Sequence, residues 1–114
     1  MTDDRIQRRL DDLSRFADEA AYLVTQGKAA YLADTMDGAI LRNAGERILI
    51  KIATVAEKLP EEYLARHADV DWAGINRMRS LVAHHDDKVN DDLLWLALAG
   101  RIPKLVECLG LRPR

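Results

Sequence analysis

The sequence predicts an all-α protein, an antiparallel bundle of four main helices. Alanine, leucine, arginine, glutamate and lysine are abundant, strand-type alternation is nowhere sustained, and the 114 residues hold six glycines and three prolines. A chain of this length buries roughly 65% of the surface its unfolded form exposes, so one domain spanning residues 1–114, with one core, is expected.

The first helix is expected from about Asp4 to Gln26. Ile6, Leu10, Leu13, Phe16 or Ala17, Ala20, Leu23 and Val24 recur at three- and four-residue steps along one stripe, and Gly27 is a natural stop. A second helix opens at Lys28 or Asp34 and runs to Leu59, with Ile40, Leu41, Ala44, Ile48, Ile52, Val55, Ala56 and Leu59 as its apolar face, and Pro60 ends it. Glu61 to Asp71 reads as a connection with room for one helical turn at EEYLARH. Asp69 or Asp71 is placed to cap a third helix that turns Trp72, Ile75, Met78, Leu81 and Val82 inward before HHDD. The fourth starts near Asn90 or Asp91, carries Leu93, Leu94, Trp95, Leu98, Ile102, Leu105, Val106 and Leu109, and is expected to bend at Pro103. Short connections favour antiparallel neighbours.

Charge and cysteine content narrow the function classes. A formal charge of −2 gives no global attraction to nucleic acid, so such a partner requires a local basic patch. The single Cys108, on an apolar helix face, cannot form an intrachain disulfide, and a reducing cytoplasm is expected. No apolar run approaches the roughly 20 residues of a bilayer span, and MTDDRIQRRL does not read as a secretory signal; no membrane partner is expected.

Chemistry concentrates in MRSLVAHHDDKV, Met78 to Val89. On a straight helix Arg79 and His84 would stand about 140° apart, too far to meet one small substrate. Either the helix ends at His84 and the histidine swings out, or two copies of the segment face each other across a two-fold axis and pool their side chains. HHDD offers imidazole and carboxylate ligands, but adjacent ligands in one short run make a poor cage, and His67 is the only other histidine. No metal and no cofactor are expected. Arg42, Arg47 and Lys51 on the second helix, with Arg77 beside the motif, form a candidate RNA track, against the alternative of a solvated charged face.

The run from Glu46 to Leu109 resembles the HepT type of HEPN domain: ERILIKIATVAEKLP, then DWAGINRMRSLVAHH, then LLWLALAGRIPKLVECL. Trp72, Ile75, Arg79, His84, Trp95, Pro103 and Leu105 occupy matching places. The resemblance implies a helical homodimer, a metal-independent ribonuclease acting on RNA, and the toxin half of a module whose antitoxin is a small, MntA-like nucleotidyltransferase. It assigns Arg79 and His84 as the catalytic pair. The chemistry suits them: a histidine exchanges protons near neutrality, and an always-charged guanidinium holds phosphate oxygens. Asp86 stands where the family usually has a tyrosine that accepts an adenylyl group, so control by binding, or by modification of another hydroxyl such as Ser80 or Tyr63, is expected instead. IATVA, Ile52 to Ala56, replaces the family's IGEA run and loses a glycine and a carboxylate. These departures motivate an alternative, a catalytically silent protein of the same fold that binds or neutralises a nucleotidyltransferase; a plain nucleotide- or RNA-binding helical module is a third class.

Overall fold

The structure, a computed structural model that describes residues 3–83 and 88–111, is helical with no strand among those residues. In order they form α1 Asp4–Val24, α2 Lys28–Leu32, α3 Met36–Glu57, α4 Glu61–Arg66, α5 Trp72–Ala83, α6 Lys88–Leu96 and α7 Ile102–Leu109, with a π-helical stretch, Ala97–Arg101, between α6 and α7. None of these helices is long and apolar enough to cross a membrane.

Local chemistry sets the boundaries. The Asp3 carboxylate accepts from the Arg5 amide at 2.9 Å to open α1, and Gly27, at φ 91°, supplies the turn that a side chain would resist. The second helix expected from Lys28 or Asp34 is two helices, α2 and α3, because the chain turns extended at Ala33. Arg42 Nη1 donates to the carbonyls of Tyr31 (2.9 Å) and Ala33 (2.8 Å), satisfying groups that the end of α2 leaves without helical partners. Thr35 Oγ1 then caps α3 by accepting from the Gly38 amide at 3.0 Å. EEYLARH supplies α4, and of the two cap candidates for α5 it is Asp71 that accepts from the Gly74 amide, at 2.9 Å. At Pro103 the interruption takes the form of the π-helical stretch. Proline has no N–H to donate and its ring would strike the carbonyl four residues back, which the wider turns before it relieve.

α3 is the central helix, packed on α1 at one side and α5 at the other, while α6 meets α2 and the π stretch lies against α1. Leu13, Ala17, Ala20 and Leu23 of α1 meet Ile48, Leu49, Ile52, Ala53, Val55 and Ala56 of α3, and Ile75, Met78, Leu94, Leu98 and Ile102 complete the core. Three residues expected to face inward do not. Ile40 is 58% exposed, Leu93 is 40% exposed, and Ala44 is exposed as well. Near Gly45 the buried side of α3 is turned toward Tyr31 and Leu98: a Cβ on Gly45 would lie 2.9 Å from Leu98 Cδ1 and 3.0 Å from the Tyr31 ring. A glycine adds nothing to a hydropathy stripe, so the pattern pointed at its flank. On α6 the inward positions are Leu94 and Trp95, and Leu93 borders the groove between α5 and the π stretch.

Candidate active site

Two anchors fix α5, the helix that carries Arg79. At its start Trp72 Nε1 donates to the His67 carbonyl at 3.0 Å, and the Asp71 carboxylate lies 3.7 Å from Arg101 Nη1, which reaches it through the space left by the missing side chain of Gly74. Along its length Ile75 and Met78 are buried against the core, which sets the rotation of the helix and turns Arg79 toward α3.

There Arg79 Nη2 donates to Thr54 Oγ1 at 2.8 Å and lies 2.8 Å from Glu57 Oε2. Thr54 and Glu57 sit one turn apart on α3, so hydroxyl and carboxylate grip one nitrogen from the same helix edge. A guanidinium carries its donors in a rigid fork, and here Nη2 holds the Thr54 hydroxyl by a hydrogen bond and the Glu57 carboxylate as an ion pair. Among the described residues nothing else engages Nη1 or Nε, and the side chain is 41% exposed. The result is a half-exposed cation held toward α3, and a guanidinium so placed is chemically able to pair with phosphate oxygens. Within IATVA, Thr54 thus contributes a hydroxyl to this contact, and Glu57, directly after the run, contributes a carboxylate. Sequence reading passed over both; the signal was the polar Thr54 inside an otherwise apolar run, with an acid one turn on.

His84, His85 and Asp86 lie outside the described residues. The flanks of that segment are joined: Asn90 Nδ2, in the first turn of α6, donates to the Leu81 carbonyl near the end of α5 at 3.2 Å. His84 follows directly on Ala83, the last residue of α5, four residues beyond Arg79.

The structure does not gather the candidate RNA track into one patch. Arg77, two residues from Arg79 and so on nearly the opposite side of α5, faces Asp71 at 3.9 Å. Arg42 is engaged with the α2 carbonyls. Lys51 is paired with Glu19 at 2.7 Å and lies 4.5 Å over the Phe16 ring. Arg47 is exposed and has no ion-pair partner among the described residues. Arg47 and Lys51 line one groove between α1 and α3. Of the two hydroxyls considered for modification, Ser80 is exposed beside Arg79. Tyr63 is buried and stacked 4.5 Å from the His67 ring, and burial pushes its phenol above the usual range, with Arg66 partly opposing.

Fold and site together define a small helical bundle with a half-exposed arginine held on the seam of two helices. Sequence comparison gives this class its family. The family described as Ribonuclease HepT-like matches residues 6–110, and the chain belongs to it. It is also similar to a protein of Methanocaldococcus jannaschii named "Putative RNase MJ0127", 28% identical over 57 residues, which is 50% of this chain and 47% of that protein. The match thus covers about half of that relative's length. No solved structure matches the chain.

Proposed function

We propose that the protein is a metal-independent endoribonuclease in which Arg79 and His84 are the catalytic pair, working in a homodimer. The observation that carries this reading is the grip of Thr54 and Glu57 on Arg79, which positions a half-exposed guanidinium through one of its nitrogens. In the reaction the ribose 2′-oxygen attacks the adjacent phosphorus, its proton passes to a base, the bond to the 5′-oxygen breaks, and that oxygen takes up a proton. Histidine is suited to both proton transfers, and two His84 side chains pooled across a dimer axis supply both a base and an acid. Arg79 offsets the charge that builds on the phosphoryl oxygens. Family membership and the name of the archaeal relative support RNA as substrate.

The same reading makes the protein a toxin held in check by a small nucleotidyltransferase. Because Asp86 is no hydroxyl acceptor, neutralisation is by binding or by modification elsewhere, and the exposed Ser80 is better placed for it than the buried Tyr63. Expression of the chain is expected to arrest growth, His84→Ala to abolish the arrest, and light scattering to give twice 12.9 kDa. Unimpaired growth, arrest that persists with His84→Ala, or a monomer mass at micromolar concentration contradicts the reading. Unimpaired growth together with copurification of a nucleotidyltransferase favours the silent binding protein that the Asp86 and IATVA departures suggest.

A further inference from the structure

α3 carries a second set of features, on its side toward α1. A groove of about 510 Å³ opens between the two helices, floored by Leu41, Ala44 and Ile48 and edged by Arg47 and Lys51 on α3 and Tyr22 on α1. Tyr22 is 73% exposed, an unusual state for so large a ring. Arg47 stands at the rim without an ion-pair partner among the described residues, so the groove holds two cations against the one carboxylate of Glu19, which Lys51 neutralises.

The groove also points somewhere. Residues seven apart on an α-helix share a face within about 20°, so Arg47 lies on the stripe of Thr54, about 10 Å away along α3, and Thr54 holds Arg79. Lys58, exposed at the end of α3, continues that stripe past the site.

We infer that the α1–α3 groove is a binding subsite for single-stranded RNA, Tyr22 stacking on a base and Arg47 holding a backbone phosphate a few nucleotides from the bond at Arg79. This deepens the ribonuclease reading and rests on it. An aromatic platform beside an uncompensated cation is the combination that binds single strands without reading their sequence. By contrast the described residues lining the groove between α5 and α7 include the acids Asp69 and Asp71 against Arg101 and Lys104, and no aromatic ring is among them.

The test is binding and cleavage of a fluorescent single-stranded RNA by the whole chain and by Tyr22→Ala, Arg47→Ala and Lys104→Ala. Tyr22→Ala and Arg47→Ala should each weaken binding and raise KM about tenfold while leaving kcat at saturation near the unmodified value. Arg47→Ala should in addition reduce the salt dependence of binding by about 0.7 in log–log slope, one phosphate's share on a single strand. Lys104→Ala should match the unmodified chain. Tight RNA binding with the two groove variants unchanged overturns the subsite and leaves the ribonuclease reading intact. RNA that is bound through Tyr22 and Arg47 but not cut supports the subsite and refutes catalysis. No RNA binding by the unmodified chain, or loss of dimer mass in the groove variants, overturns the subsite, the latter result making this face a contact between copies.

Discussion

Around Gly45, α3 meets Tyr31 and Leu98 so closely that an added methyl group would crowd both, whereas around Thr54 the same helix meets α5 through a hydroxyl, a carboxylate and a guanidinium that stay within reach of water. The first contact is apolar and fully buried, with Tyr31 stacked 5.3 Å from Trp95. The second is half-exposed, so its ion pair is screened and adds little to stability. The Gly45 contact therefore carries folding energy and the Thr54–Glu57 edge carries orientation, and substitutions at the two places should produce separable losses.

The largest separable effect is expected at Gly45. Gly45→Val forces extra carbons into a closed core and should lower unfolding free energy by about 2–3 kcal/mol, read from denaturant midpoints, with the activity of the folded fraction retained. Gly45→Ala should cost much less, because the gain in helix propensity, roughly 1 kcal/mol, offsets much of the crowding. A stable Gly45→Val protein with lost cleavage would erase the distinction between the two contacts.

Glu57→Gln is the reciprocal change. It keeps the shape of the side chain but removes the charge that orients Arg79, so RNA cleavage should fall about tenfold in kcat, equivalent to roughly 1.4 kcal/mol, while the thermal midpoint stays within a degree or two. A fall in stability with unchanged kcat would make Glu57 a structural residue alone.

The smallest effect sharpens the buried end. The Tyr31 hydroxyl finds no hydrogen-bond partner among the described residues, and burial, followed by the charges of Asp91 and Glu46, raises its pKa above the ordinary value of 10.0. A raised folded-state value means that this group's contribution is fully present below pH 10.0 and is lost as pH climbs beyond it, where the unfolded chain ionises first. Removing the unpartnered buried hydroxyl with Tyr31→Phe should raise stability by about 1 kcal/mol near neutrality, and the loss of the titrating group should flatten the alkaline decline. A destabilised Tyr31→Phe protein would mean that the hydroxyl has a partner after all.

The same contrast explains what could be read from the sequence. Leucine and isoleucine spacing located α1, α5 and most of the buried face of α3, because burial of large apolar groups leaves a periodic trace. Gly38 and Gly45 leave none, so the sequence pattern turned the start of α3 toward Ile40 and Ala44, and only the packing of Tyr31 and Leu98 reveals the true face. At the candidate site Arg79 stood out by residue type and spacing. Its partners did not, since Thr54 and Glu57 lie 25 and 22 positions earlier in the chain and meet it only through the α3–α5 packing.

The central claim is that Arg79 and His84 cut RNA without a metal, and the most direct test is cleavage of single-stranded RNA by the purified protein in excess EDTA. The unmodified chain should cut at the same rate with and without the chelator. Arg79→Ala and His84→Ala should each be at least about a hundredfold slower, with helical circular dichroism unchanged. Equal cleavage by His84→Ala, or cleavage only after a divalent ion is added, would contradict the claim.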